Sequence, residues 1–301
     1  MRRFAGIGLI LVASLSFSIM GAATKMAVPV EGALPTIFWR SVFVAVVALV
    51  ILARSGTSIR PGNLRLLLVR SGVGLLAMVC FFWSLGQIPL GTANTLLYTS
   101  PLFMVLFAGV FLGEERRAGT LPMACVAFVG VALVMQPSRF VFDWGIVAGL
   151  AAGFLAALAY LSVRKLRTTD PPARIVVWFA LVSALVTAPF VFSAELPDTS
   201  LRWGWLLAVG LFATGGQLCM TQAYRVEQAH VVGPFSYATV IFSYVLGLVF
   251  WGEEISLEAG VGVLMVVGAG AVLSAGAKAR PPRPGSAARA VADGEGGEGE
   301  T

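Results

Sequence analysis

The length of the apolar runs constrains this chain more than any other feature. A helix rising 1.5 Å per residue needs about 20 mainly apolar residues to cross a hydrocarbon core of roughly 30 Å. Ten blocks meet that requirement, at 4–24, 33–53, 66–86, 92–112, 119–136, 144–163, 174–192, 203–223, 231–251 and 257–276. The connections are short, as in a compact bundle. Of the 301 residues, 58% are hydrophobic and 12% charged, where soluble domains carry about 25% charged residues. Too little polar surface is available to cover a water-soluble globule. The expected fold class is an all-α membrane protein with ten transmembrane helices and the lipid bilayer as its solvent.

A formal charge of +6 raises the question of nucleic acid, but the basic residues lie between the blocks and form no basic face, so no nucleic-acid partner is expected. Of the 21 Lys and Arg, all but Lys25, Arg40, Arg139 and Arg202 fall on the side of the N-terminus. Basic residues collect in cytoplasmic loops. Both termini are therefore expected in the cytoplasm of a bacterial inner membrane. Cys80, Cys125 and Cys219 sit singly in apolar runs, which supports neither a disulfide framework nor a metal site and predicts buried thiols. The segment 277–301, rich in Gly, Pro and charge, is too polar to bury a core and reads as a disordered tail.

The sequence repeats itself. At an offset of 139, Trp39 meets Trp178, Cys80 meets Cys219, Tyr98 meets Tyr237, and Gly113-Glu114-Glu115 meets Gly252-Glu253-Glu254. Four agreements at one offset, spread over three different blocks, point to a duplication, with a first repeat over 1–139 and a second over 140–276. Lys25 matches Lys165 one residue further on, so the first block belongs to the fold and is not a cleaved signal peptide. Five spans per repeat is an odd number, which forces the second copy to enter the membrane from the opposite side. Two inverted halves are an architecture of secondary transporters, whose substrate site lies near midplane between the halves.

Polar side chains within the blocks fall at helical spacing: Ser14, Ser18, Gly21 and Lys25 in the first, Trp83 and Gln87 in the third, Asn94, Tyr98 and Pro101 in the fourth. The eighth block adds Gln217, Thr221 and Tyr224, and the ninth His230, Pro234, Tyr237 and Tyr244. Steps of three and four keep side chains on one face, and a polar face inside a bundle turns inward. Two readings fit: a wet, aromatic-lined cavity, or hydroxyls bonded to their own helices and tyrosines at the headgroup belt. Pro101 and Pro234 each remove a helix hydrogen bond in corresponding helices, which suits a gate or kink beside a transporter site. Gly145, Gly149 and Gly153 are spaced for close helix approach, either within the chain or at a homodimer face.

No Asp or Glu lies near the centre of a block, so no embedded acid is available as a proton relay. Glu114, Glu115, Glu253 and Glu254 end the fourth and ninth blocks and are suited to ion pairing with bases such as Arg116. Lys25 and Arg40 stand near membrane ends, where they either snorkel to the interface or meet an anionic substrate group. His230, the single histidine, lies at a helix edge. Metal-spaced His/Cys clusters, HExxH, GxSxG, a P-loop and a complete dinucleotide fingerprint are all lacking. The chain reads as no enzyme, with no cofactor and no metal.

Three strings add to this reading: FWRSVFVAVVAL at 38–49, IPLGTANTLLYTSPLFMVLFAGVFLGEE at 88–115 and VVGPFSYATVIFSYVLGLVFWGEE at 231–254. Together with the paired halves, they resemble the EamA-type transporters of the drug/metabolite transporter superfamily, over about residues 5–275. The resemblance implies ten spans, alternating access and a central cavity bounded by helices one, three, four, six, eight and nine. Family members export amino acids and related metabolites or import nucleoside-like and vitamin-like molecules. The second-half string also looks like branches that handle S-adenosylmethionine or amino-acid-derived metallophores.

The expectation is a secondary transporter exporting a small amino-acid-derived or zwitterionic metabolite, an opine-type metallophore among the candidates. Trp83, Tyr98, Tyr160, Tyr224 and Tyr237 would pack the apolar part of the small-molecule substrate. Asn94, Gln217 and Thr221 would hydrogen-bond it, and Lys25 or Arg40 would meet an anionic group. An importer of an S-adenosylmethionine-like solute is the alternative, and a lipid-acting membrane enzyme a second.

Overall fold

The computed structural model describes residues 2–100, 102–104, 107, 120–134, 143–166, 168–192, 197–226 and 233–275. Among these, α-helices form α1 (Arg2–Glu31), α2 (Ala33–Arg54), α3 (Leu64–Gln87), α4 (Leu90–Leu97) and α5 (Thr120–Val134). The second half follows with α6 (Trp144–Leu166), α7 (Pro172–Phe192), α8 (Ser200–Val226), a 3-10 turn (Gly233–Tyr237), α9 (Ala238–Trp251) and α10 (Leu257–Ala275). No strand occurs among the described residues. In hydrocarbon every backbone N–H and C=O must be bonded internally, and a helix does this within one segment. Large apolar side chains such as Leu185, Leu211, Val249, Phe250 and Leu264 remain exposed on the outside, where lipid replaces water.

The helices depart from the expected blocks at informative places. α1 runs past residue 24 to Glu31, through Pro29 in its last turn. Hydropathy alone stops it at Lys25, because hydropathy cannot see that this charge is neutralised elsewhere. The fourth block is not one continuous helix. α4 ends at Leu97, turns at Tyr98 and Thr99, and residues 102–104 are helical again. The ninth block likewise opens as a 3-10 turn containing Pro234 and becomes α-helical at Ala238. A proline supplies no N–H and crowds the preceding turn, so both interruptions sit where the sequence places Pro101 and Pro234. Pro101 itself, Glu114, Glu115, Arg116, Arg139, His230 and the tail 277–301 lie outside the described residues, as do the side chains of Tyr224 and Pro234.

Packing between the halves follows a pattern that a duplicated chain explains. α1 packs most extensively on α8, α2 on α7, α3 on α6, α5 on α10, and α4 on α9 and α6. Exchanging the halves turns the α1–α8 pair into α6–α3 and leaves α2–α7, α4–α9 and α5–α10 unchanged. That is the contact pattern of a pseudo-twofold axis relating inverted repeats. The apolar core runs through the centre, with Ile37, Phe82, Leu85, Leu90, Leu96, Val209 and Val266 in one cluster.

The glycine stripe of α6 is used inside the chain. A Cβ at Gly145 would stand 2.7 Å from Ile88, one at Gly149 2.8 Å from Leu96, and one at Gly153 2.5 Å from the Leu96 carbonyl oxygen. These glycines let α6 lie directly on α3 and α4, so the stripe is not free to form a dimer face. Ser84 Oγ donates to the Gly145 carbonyl at 2.8 Å across the same contact. The three cysteines are free thiols. None of them is fully buried: Cys80 and Cys219 are half-buried, and Cys125 is exposed because its face of α5 is directed outward.

Loops tie the halves together on both sides. On the N-terminal side, Asp170 accepts the N–H groups of Gly62 (2.8 Å) and Asn63 (3.1 Å), the Thr169 hydroxyl (2.8 Å) and Arg174 Nη1 (3.1 Å). Burial alone would raise its pKa, but the bonds from Gly62, Thr169, Arg174 and Asn63 outweigh it and hold the carboxyl below its ordinary value. On the opposite side, Arg202 of α8 grips Glu31 at the end of α1 and Asp198 one turn back.

Candidate functional site

The polar stripe of α1 meets the second half along α9. Ser14 Oγ donates to the Ser236 carbonyl at 3.4 Å, and Ser18 Oγ to the Thr239 carbonyl at 2.9 Å. Ser243 Oγ lies 3.2 Å from Ser18 Oγ. From α4, the Tyr98 hydroxyl donates to Thr239 Oγ1 at 2.8 Å, and its ring lies 5.6 Å from that of Tyr237. Ser14, Ser18, Thr239 and Ser243 are all buried. An unbonded hydroxyl in hydrocarbon costs several kcal/mol, whereas a bonded interhelical pair contributes about 0.6 kcal/mol net. The hydroxyls therefore act as a polar seam between α1, α4 and α9, and its chief value is that Ser14, Ser18, Thr239 and Ser243 are each bonded.

Asn94 and Tyr244 belong to the same region. Asn94 Nδ2 donates to the Leu90 carbonyl of its own helix at 3.1 Å and stands beside Gly21 of α1. The ring of Tyr244 rests on Gly91, where any Cβ would collide with it. Tyr237 is 1% exposed, and its hydroxyl has no partner among the described residues.

Lys25 is committed to the second half. Its Nζ lies 2.9 Å from Glu253 Oε1, donates to the Ile88 carbonyl at 2.7 Å, and stands 5.6 Å from the Trp251 ring centroid. The Glu253 carboxylate also accepts the Leu90 N–H at 3.0 and 3.2 Å, satisfying one of the free donors that begin α4. Gly252 makes this possible. Its φ of 62° is the left-handed cap that ends α9 and turns the chain back toward α4.

Arg40 of α2 and Tyr160 of α6 share their surroundings with Arg70, whose position in the sequence assigns it to the cytoplasmic charges. Arg70 of α3 lies within electrostatic range of Arg40, and Tyr160 within range of both. The Arg70 guanidinium stacks 4.1 Å from the Phe179 ring centroid of α7. Arg40 Nε, Arg70 Nε and Arg70 Nη1 are shut off from solvent and meet no acceptor among the described residues. Arg70 falls within the block 66–86, four residues from Gly74, so its place on a helix face was readable. Thr239, Phe179 and Ser243 had no comparable signal, since a lone hydroxyl or Phe in an apolar run is ordinary.

The remaining candidates do not join these groups. Trp83 and Gln87 are exposed along α3, and Thr221 donates to the Gln217 carbonyl of its own helix at 2.7 Å. No group of three or more His, Cys, Asp or Glu able to hold a metal occurs among the described residues.

Comparison with known proteins places this geometry in context. The sequence profile described as the EamA-like transporter family matches residues 4–136 and 143–275. The chain is 32% identical over 265 residues to the pseudopaline exporter CntI of Pseudomonas aeruginosa, covering 87% of this chain and 93% of the relative. It is 28% identical over 253 residues to a riboflavin transporter of Vibrio cholerae, covering 80% and 83%. One solved crystal structure superposes with a TM-score of 0.64 at 21% identity, over 89% of this chain and 95% of the other, which shows a shared fold.

Proposed function

The chain belongs to the EamA-like transporter family, and from that premise we propose that it exports a small amino-acid-derived metabolite of the opine-metallophore kind. It is a multi-pass membrane transporter and not an enzyme. The observation that carries the finer reading is the 32% identity to the pseudopaline exporter along nearly the whole of both chains. The riboflavin transporter is less similar and supports membrane transport in general.

In this reading the two inverted halves rock about the α1–α4–α9 seam, with the basic N-terminal side in the cytoplasm. Tyr98, Tyr237 and the groups around them flank the path. No Asp or Glu lies at the middle of a described helix, so flux is driven by exchange or by the solute gradient unless a proton is carried elsewhere. The test is efflux of labelled pseudopaline from proteoliposomes, with and without an imposed pH gradient. Saturable counterflow is expected, and its absence at every gradient would overturn the reading. A rate that responds to the pH gradient would identify proton antiport.

A further inference from the structure

Arg40 and Arg70 present a problem in charge balance. Arg40 lies about 10 Å along α2 from its Ala33 end, and Arg70 about 9 Å along α3 from its Leu64 end, at 1.5 Å per residue. Both are thus well inside their spans. Each lies on a buried helix face: Arg40 is three residues from Ile37 and four from Val44, and Arg70 three from Leu67 and four from Gly74, all of them buried. A cation at the centre of a span costs about 2.5–3.5 kcal/mol even on insertion scales, and a second cation within electrostatic range adds to the cost. No ion pair involving either arginine occurs among the described residues, where the acidic groups all lie at helix ends or in loops.

Tyr160 shows what occupies the space before them. It is 51% exposed, although it stands on the inward stripe of α6 with Gly153, Ala156 and Ala157, which are buried, and it lies within electrostatic range of both arginines. An accessible side chain on an inward stripe borders open volume rather than packed protein. The Phe179 ring holds the Arg70 guanidinium plane by a cation–π contact, and Gly74 leaves room for both, since a Cβ there would stand 3.1 Å from Phe179.

Resting on the exporter reading above, we infer that Arg40, Arg70 and Tyr160 form an anion subsite that binds two carboxylates of the transported solute between α2, α3 and α6. The guanidinium fork matches a carboxylate with two parallel N–H donors, and neither arginine has an acidic partner among the described residues. The Tyr160 hydroxyl adds a third donor. The solute itself brings the missing negative charge, so binding removes the desolvation penalty that the empty site carries. A dicarboxylate satisfies both cations, whereas a monocarboxylate leaves one unpaired.

The test needs no transported substrate, so loss of pseudopaline flux and failure of this subsite are separate results. Tyr160→Cys is introduced into the full chain carrying Cys80→Ala, Cys125→Ala and Cys219→Ala, reconstituted in phosphatidylcholine vesicles that contain no anionic headgroup. Arg70→Cys, which keeps Arg40 beside the thiol, serves as a second reporter if the first fails to fold. Rates are measured with an anionic sulfonatoethyl and a cationic trimethylammonioethyl methanethiosulfonate, each relative to its rate with free cysteine. The anionic reagent is expected to be favoured about tenfold, and Arg40→Gln to reduce that preference severalfold. Glutarate is expected to slow the anionic reaction at least threefold more than acetate at equal ionic strength. No reaction with either reagent, no charge preference, or equal protection by glutarate and acetate would each overturn the subsite.

Discussion

Lys25, near the end of α1, and Glu253, just beyond α9, lie 2.9 Å apart and join the two halves of the bundle on the side opposite the N-terminus. The same carboxylate takes the Leu90 N–H that opens α4. One acidic side chain therefore holds three elements, two from the first half and one from the second. Any rearrangement that separates α9 from α1 on this side must break the pair.

Glu253→Gln leaves the Lys25 ammonium without its counter-charge and weakens the acceptor for Leu90. Removing one partner of a largely desolvated pair costs about 3 kcal/mol. Lys25→Met combined with Glu253→Gln is expected to cost less than the sum of the single changes, with a coupling above about 1 kcal/mol. Thermal unfolding of the purified protein in detergent checks this, and strictly additive effects would show that the contact carries no energy.

Tyr98→Phe removes the donor to Thr239 Oγ1 and keeps the ring against Tyr237. A loss of about 0.6 kcal/mol is expected, too little to unfold the protein, so a fall in transport would report on the path rather than on the fold. Tyr98→Ala and Tyr237→Ala are expected to reduce efflux strongly. Unchanged flux in both would remove these residues from the solute path.

Asp170 gives a pH dependence with a definite sign. Its carboxyl is held below the ordinary value of 3.8 by the bonds from Gly62, Thr169, Arg174 and Asn63. Stability from a lowered carboxyl is complete above the ordinary value and fades as pH falls through the lowered one. Asp170→Asn is therefore expected to cost about 1.5–3 kcal/mol near neutrality and progressively less below pH 3.8. Melting temperatures of wild type and variant across that range should converge on acidification.

Gly153→Val places a branched side chain where even a Cβ meets Thr99 Oγ1 and the Leu96 carbonyl. Overpacking a close helix crossing costs about 1–3 kcal/mol or more. Loss of monodisperse protein on size exclusion is expected, while Gly8→Val, with open space around it, should be tolerated.

The sequence determined the solvent, the helix-forming segments and the inverted duplication, because apolar run length, charge asymmetry and a fixed offset are properties of order along the chain. It marked Pro101 and Pro234 as interruptions for the same local reason, the missing N–H. Which polar groups meet was decided by the tertiary structure alone. Ser14 and Ser18 share one rhythm with Lys25, yet the serines close a seam with Thr239 and Ser243 while the lysine is neutralised by Glu253. Arg70, which its place near a loop assigns to the cytoplasmic charges, stacks on Phe179 because α3 packs against α7. Pairing across hundreds of residues depends on how ten helices pack, and helical periodicity within each block contains no information about its neighbours.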